Sequence, residues 1–452
     1  MSTLLLELGK ILLATLFYAL RIPIFWLVVL LVYLQYRRVA GMEQKLFGRT
    51  INSVGYQVAV STGLGIGAGL LAGAIMLLLG LSLSQIGLLY IWPVALLLLL
   101  LHPRFLCFSY AGGIVALAVL VLRYILLPFF PALAEQALVA PLLEIHIPAL
   151  LALIGLLHLI ESLLIYLSGH RASSPLYFKQ DSGEVVGAFS LQKFWPIPLV
   201  ALWATVVLES EVQGVNMPDW WPLLKPILEL EPGQTLQYLA VPVLAALGYS
   251  DLALSSTPRE KSTGTACHLS LYSIALLGLA LAAEFYPWTT LAGVLFAPLG
   301  HEAVIYYGNQ REHSRAALYR STAEGVPLMM VLPQSAAFRA GLRSGDLVCR
   351  VNGAPVHSDL DFLLRIDQSY FMVLIEGFRD GRDFSIVLNK RSTEKKPGES
   401  SLITAAAVPL WHRGADLGLI PAPSQLTPIY AQARAAAGFN PLRRLRGRRK
   451  RP

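Results

Sequence analysis

"SAAFRAGLRSGDLVCRVNGAPV", from Ser335 to Val356, decides the fold of the C-terminal part of this 452-residue chain. Gly341 follows a short helix-forming run, at a position where the end of a helix favours the left-handed conformation. Asn352-Gly353 is a tight-turn dipeptide between two extended runs. The stretch therefore predicts a short helix, a strand, a turn and a second strand.

The surrounding residues complete one small α/β domain over 321–390. "VPLMMVL" precedes the stretch as a predicted strand, and two further strands flank the turn dipeptide Asp380-Gly381. "SDLDFLLRI" predicts a helix with Leu360, Leu363 and Leu364 on one face. A short helix, a longer helix and several strands are enough for a compact module outside any membrane.

This module resembles a PDZ domain of the bacterial type. The resemblance implies that an extended peptide adds to a sheet edge and that backbone amides hold its carboxylate. It places the groove at the residues Glu324, Gly325, Val326, Leu328, Leu360, Leu363 and Leu364. Glu324 is an acid where an apolar residue is usual, and Pro327 lacks an amide hydrogen. Because amide directions alternate along a strand, the amides of Val326 and Leu328 are still expected to face the groove. The departure is compatible with an internal or non-carboxylate ligand, and the alternative is a PDZ fold that binds no peptide tail.

Composition places most of the remaining chain in a membrane. The chain is 55% hydrophobic and 14% charged, whereas soluble domains average about 25% charged. Apolar runs lie near residues 3–20, 22–36, 55–80, 84–101, 105–127, 147–168, 195–209, 235–250, 268–284 and 288–307. They predict an all-α polytopic membrane domain over 1–310 with eight to ten transmembrane helices, in which the first two runs, joined at Pro23, form two spans or a re-entrant pair.

The distribution of charge predicts the orientation and a basic tail. Lys and Arg collect in one set of alternate loops, which should be cytoplasmic together with both termini. Residues 391–452 are predicted to be disordered. Their last stretch carries the basic residues Arg443, Arg444, Arg446, Arg448, Arg449, Lys450 and Arg451. Beside a membrane these favour anionic lipid or an acidic protein as the partner, and no nucleic acid is expected.

"FAPLGHEAVIYYG", ending at Gly308, is the stretch that most resembles a zinc protease motif. Such a protease needs a second His four residues after the first, with Glu as the general base. His301 and Glu302 are present, but Ile305 occupies the place of the second His. The cysteines Cys107, Cys267 and Cys349 show no metal-ligand spacing. The sequence therefore predicts no catalytic residue, no metal site, no cofactor and no enzyme activity.

Ionisable residues inside apolar runs leave a transport alternative open. Glu161 lies one helical turn after His158, and such residues within spans are functional candidates. Helix packing is the competing interpretation of the pair. Arg123 is near the end of its run, where its side chain reaches the interface.

Three motifs and the order of parts resemble the MinJ-type cell-division topological determinants of Gram-positive bacteria. The motifs are "HLIESLLIYLSGHRASSPLYFKQDSGEVVGAFSLQKFWPIPL" (158–199), "GYSDLALSSTPREKS" (248–262) and "FAPLGHEAVIYYG" (296–308). The resemblance implies a membrane scaffold, enriched at septum and poles, that links DivIVA-like proteins to MinD-like and MinC partners. Two alternatives are a transporter or channel with a regulatory PDZ domain, and a degenerate site-2-type protease or protease regulator.

Overall fold

The computed structural model describes residues 2–180, 182–211, 214–390, 410–427 and 431–432. The N-terminal half is helical, and a sheet-rich region follows. The helices of the first part are α1 (Ser2–Arg21), α2 (Pro23–Phe47), α3 (Val54–Leu79), α4 (Leu88–Leu101), α5 (Phe108–Val121), α6 (Ala140–Leu143) and α7 (Ile147–Ser168). After three strands come α8 (Pro258–Phe285) and α9 (Thr290–Ser314).

Five of the described helices are long and apolar enough to cross a membrane. They are Pro23–Phe47, Val54–Leu79, Phe108–Leu126, Ile147–Ser168 and Pro258–Phe285. The third of them is α5 continued by a π-helical turn over Leu122–Leu126. The chain is therefore a membrane protein, and the count of eight to ten spans stays a prediction.

The prediction of an all-α membrane domain is wrong for two apolar runs. Residues 195–208 of the first run and all of 235–250 belong to β2 (Val185–Leu208) and β3 (Gln234–Ala253), which form one long antiparallel hairpin. Pro196 and Pro198 lie inside the first run, and a proline in a helix interior removes a hydrogen bond and collides with the preceding turn. A strand accepts such residues at an unpaired edge.

Three backbone polar groups on the outer edge of β2, opposite β3, have hydrogen-bond partners, and all three are at even-numbered positions. The amide of Phe194 donates to the Tyr36 hydroxyl at 3.2 Å, and the amide of Ala204 donates to Ser82 Oγ at 3.0 Å. Between them, the carbonyl of Leu202 accepts from the Leu83 amide at 2.8 Å. Pro196 and Pro198 lie in the same alternating set and have no amide hydrogen. An apolar helix can therefore pack against this edge without burying unpaired donors at those two positions.

That helix is α3, which contacts β2 through glycines. A side chain at Gly65 would overlap the Pro196 carbonyl, and one at Gly69 would overlap the Pro198 carbonyl. Gly63 and Gly67 lie on the opposite face, where a methyl group added to either glycine would have open space within 4 Å. Small residues four positions apart allow close helix packing in membrane proteins, and here they allow α3 to pack closely against a strand.

The C-terminal module consists of β4 (Val326–Val331), α10 (Ala336–Ala340), β5 (Leu347–Val351), β6 (Ala354–Pro355), α11 (Asp359–Gln368), β7 (Met372–Arg379) and β8 (Arg382–Asn389). Gly341 ends α10 in the left-handed conformation, with φ of 108°, which confirms the expected helix end. Asp380 and Gly381 both have positive φ in the turn between β7 and β8, as predicted.

Part of the predicted disordered tail is structured. Residues 410–427, called here the return segment, contain α12 (Leu410–Leu417) and β9 (Leu419–Pro421). β9 extends the module's sheet into the order β8-β7-β5-β4-β9. A two-residue strand, Ala431–Gln432, pairs with β1 (Ser174–Lys179). The return segment itself also contacts β1, since the Tyr177 hydroxyl donates to Pro421 O.

The glycines of α3 provide a matched test of the hairpin contact. We expect Gly65→Ala/Gly69→Ala to lower the melting temperature in detergent by several degrees, because overpacking costs about 1–3 kcal/mol at each site. The control Gly63→Ala/Gly67→Ala lies on the same helix and gains helix propensity of about 1 kcal/mol per site. Thermal unfolding of both purified variants checks this, and equal melting temperatures would contradict the contact.

Candidate functional site

β4 and α11 border a groove that the return segment fills. β9 pairs antiparallel with β4, with Val331 opposite Leu419 and Leu328 opposite Pro421. Two hydrogen bonds extend the pairing: Leu332 N donates to Gly418 O at 2.9 Å, and Ala422 N donates to Pro327 O at 2.7 Å. The chain therefore supplies its own extended strand at this sheet edge.

Asp359, in the first turn of α11, holds the other side of the return segment. Its carboxylate is fully buried and accepts hydrogen bonds from Trp411 Nε1 (3.0 Å), Ser424 Oγ (2.6 Å) and Thr427 Oγ1 (2.7 Å). The Ser424 amide also donates to it at 3.1 Å. A carboxylate at a helix N-terminus is further stabilised by the helix dipole. Sequence reasoning missed Asp359, because its partners lie 52 to 68 positions away in a segment predicted to be disordered.

The predicted groove residues have different surroundings. Val326 and Leu328 are buried in the core of the module, and the Leu328 amide donates to Asp346 O at 2.8 Å, so the expectation that it faces the groove is wrong. The Gly325 amide donates to Thr322 O at 3.3 Å, which closes the loop on itself.

On α11, Leu363 is buried against Gly414 of the return segment, Leu360 is half-buried and Leu364 is exposed. The three leucines lie on one side of the observed helix, as predicted, but they are not equally buried. The inward face of α11 is formed by Phe362, Leu363 and Ile366, which are buried. Glu324 is exposed beside this groove. The basic residues from Arg443 to Arg451 lie outside the described residues.

A second group of polar side chains lies between α5, α7 and α9. The Cys107 sulfur is 3.0 Å from His158 Nε2 and 3.9 Å from His301 Nε2. One ligand atom from each of the three residues lies within 4.8 Å of the other two. Cys107 is the N-cap of α5, His158 is on α7 and His301 is on α9. No sequence spacing signals the group, because its members come from three separate elements.

Glu302, next to His301, is engaged by two other residues. Arg104 forms an ion pair with its carboxylate at 2.8 Å, and the Tyr110 hydroxyl donates to its second oxygen at 2.7 Å. His301 Nδ1 lies 3.3 Å from the same hydroxyl oxygen. Glu302 therefore orients Tyr110 and, through it, the His301 ring.

Two of the three residues that suggested transport, His158 and Arg123, have structural partners. His158 Nδ1 is 2.7 Å from the Ile154 carbonyl, and its other nitrogen faces Cys107. Arg123 donates to the carbonyls of Leu143 and Ile145, at 2.5 and 3.0 Å, and so caps a neighbouring turn. These contacts give no support to a pathway lined by Arg123.

No family model matches the chain. Among curated proteins, it is similar to the cell division topological determinant MinJ of Bacillus subtilis (strain 168), with 27% identity over 236 residues. The match covers 51% of this chain and 54% of the relative, so the chain spans about half the length of the curated relative it matches. The chain resembles a MinJ-type division determinant. This similarity confirms the resemblance that the loop motifs predicted, and it supports a role in cell division.

In the motif over 248–262, the polar residues bind to neighbouring helices. Glu312, near the end of α9, accepts from the amides of Leu254 and Ser255 at 3.0 and 2.9 Å and from the Ser256 hydroxyl. Burial alone raises the pKa of Glu312, but these hydrogen bonds outweigh it and leave the pKa below its ordinary value. Lys261 forms an ion pair with Asp251 at 3.2 Å. The motif therefore fixes the junction of β3, α8 and α9.

The groove contact is tested by substituting Asp359. We expect Asp359→Ala to raise hydrogen exchange of the amides of residues 418–420 and 422, since the donors of the return segment lose their charged acceptor and each such bond contributes about 1.5–3 kcal/mol. The control Asp361→Ala removes a carboxylate from the same helical turn, where it pairs with Arg365 on the surface. Hydrogen exchange read by mass spectrometry compares the two, and equal protection of the same amides in both variants would refute the role of Asp359.

Proposed function

We propose that this chain is a membrane scaffold in bacterial division-site selection. The observation that carries the proposal is the similarity to MinJ over half of the chain, together with several helices able to cross a membrane. On this proposal the positive loops and both termini face the cytoplasm, and the protein collects at septum and poles. The basic residues near the C-terminus would add attraction to anionic lipid.

We further propose that the C-terminal module is PDZ-like and recruits partners by strand addition. Its support is the direction of β9, which runs antiparallel to β4 towards the loop that precedes β4. A PDZ ligand enters with its C-terminus pointing the same way. β9 continues past that loop through Ala422, so it occupies the edge as an internal strand. This agrees with the non-carboxylate ligand that Glu324 suggested.

Recruitment at the groove then requires displacement of the return segment. When only a small fraction of the molecules is in the binding-competent state, the apparent dissociation constant equals the intrinsic constant divided by that fraction. The partners we propose are DivIVA-like and MinD-like proteins, as the resemblance implies. Release of the return segment would be the step that exposes the sheet edge to them.

Localisation and division phenotype test the scaffold proposal. In the organism that encodes this chain, we expect a fluorescent fusion to concentrate at septa and poles and a deletion to misplace septa. Fluorescence microscopy with membrane staining measures both. A fusion spread evenly over the membrane, together with normal septum placement in the deletion strain, would rule the proposal out.

The displacement step has its own test. We expect Asp359→Ala to capture at least about tenfold more purified DivIVA-like or MinD-like protein than Asp361→Ala, because loss of about 1.4 kcal/mol from the closed state raises the open fraction tenfold. Added peptide of sequence 410–427 should compete for the opened groove. Equal capture by both variants, unaffected by the peptide, would place partner binding elsewhere on the protein.

A further inference from the structure

The group formed by Cys107, His158 and His301 has no part in the proposed scaffold function. It lies between α5, α7 and α9, outside the C-terminal module. His158 is 3% exposed, and the other two are partly buried. Polar side chains enclosed in this way need partners for each of their donors and acceptors.

Hydrogen-bond partners fix the tautomers of both rings. The Ile154 carbonyl can only accept, so His158 Nδ1 carries the hydrogen and Nε2 presents a lone pair to Cys107. The Tyr110 hydroxyl gives its hydrogen to Glu302, so its oxygen accepts from His301 Nδ1. His301 Nε2 therefore also presents a lone pair to the Cys107 sulfur.

A thiol cannot satisfy this arrangement alone. Cys107 has one sulfur-bound hydrogen and faces two nitrogen acceptors, one at 3.0 Å and one at 3.9 Å. The Ser109 amide also points at the sulfur, at 3.4 Å, and an amide at a helix N-terminus stabilises negative charge there. A cation held between a thiolate and two imidazole nitrogens would satisfy all three atoms at once.

The spacing agrees with metal coordination. A tetrahedral zinc site, with Zn–S near 2.3 Å and Zn–N near 2.05 Å, places sulfur about 3.6 Å from each nitrogen. The two observed distances, 3.0 and 3.9 Å, lie on either side of that value. In both histidines the other ring nitrogen has a hydrogen-bond partner. His158 Nδ1 donates to the Ile154 carbonyl, and His301 Nδ1 donates to the Tyr110 hydroxyl, which in turn donates to the Glu302 carboxylate. Metal-bound histidines usually have such a partner on the nitrogen that does not bind the metal.

We propose that Cys107, His158 and His301 bind one first-row divalent transition-metal ion of the Zn²⁺ class. Thiolate and imidazole are ligands that suit zinc, and three protein ligands leave a fourth coordination position open. The ion ties the start of α5 to the middle of α7 and to α9. No reaction is assigned to it, since the nearby carboxylate of Glu302 is engaged by Arg104 and Tyr110.

Cobalt binding tests the site on the full chain in detergent. Co²⁺ alone is titrated into metal-free protein, and absorption reports thiolate-to-cobalt charge transfer and the d–d bands of a tetrahedral site. We expect about one Co²⁺ per chain, with displacement of Co²⁺ by Zn²⁺. His158→Gln and His301→Gln should each lose most of the bound metal, because losing one of three ligands leaves two.

The matched controls use the other two cysteines of the chain. Cys267→Ser and Cys349→Ser should keep the site, since Cys267 is exposed on α8 and Cys349 lies in β5 of the module. Burial raises the pKa of the Cys349 thiol, so this residue is a poor competing ligand. Cys107→His should keep the metal and lose only the charge-transfer band, which separates a ligand role from a packing role.

A second measurement distinguishes loss of metal binding from loss of folding. In a Cys267→Ser/Cys349→Ser background, Zn²⁺ should protect Cys107 from maleimide labelling, and a chelator should lower the melting temperature. With His301→Gln added to that background, neither effect should occur. Absence of a charge-transfer band in the metal-free wild-type protein titrated with Co²⁺, or full cobalt binding by His158→Gln/His301→Gln, would overturn the proposal and leave a hydrogen-bonded group only.

Discussion

The unpaired edge of β2 is the constraint on which the arrangement of this protein depends. Where a strand runs among apolar helices, each backbone amide and carbonyl must find a partner, because water is absent there. This chain meets part of the requirement, with Tyr36 and Ser82 as partners at two positions and with prolines, which have no amide hydrogen, at two others. Close packing also requires space, which the glycines of α3 provide. A strand without these features would need a second strand at the same place.

The hairpin also determines how the membrane part meets the C-terminal module. β2 begins outside the helices, where it pairs with β1, and β1 lies beside the return segment. The Tyr177 hydroxyl donates to Pro421 O at 3.1 Å, and Arg49 donates to Ala415 O at 3.2 Å. The return segment therefore contacts the module on one side and the membrane part on the other. Its displacement would free both surfaces together.

The C-terminal module was predictable because its local signals agree with one another. The left-handed position of Gly341 and the turn at Asp380-Gly381 depend on residues a few positions apart, and the structure has both. The prediction of membrane spans at β2 and β3 is wrong because apolar runs of similar length occur both in strands and in spans. Pro196 and Pro198 were the available signal, since two prolines two positions apart cannot continue a helix.

The contacts of the return segment and of the group formed by Cys107, His158 and His301 could not be predicted from the sequence, for a different reason. Asp359 and Trp411 are 52 positions apart, and Cys107 and His301 are 194 apart, so folding of the intervening chain sets their distance and no periodicity links them.

Three buried carboxylates join elements in the same way, and their separation has a consequence. Glu43 receives the Ile51 and Asn52 amides and the Ser174 hydroxyl, which links the α2–α3 loop to β1. Glu312 links α9 to the end of β3, and Asp359 links α11 to the return segment. Each acceptor serves its own set of donors, so loss of one set leaves the other two satisfied. On the proposed function, a partner that displaced the return segment would break only the contacts of Asp359 among these three, and the junctions between helices and hairpin would keep their geometry.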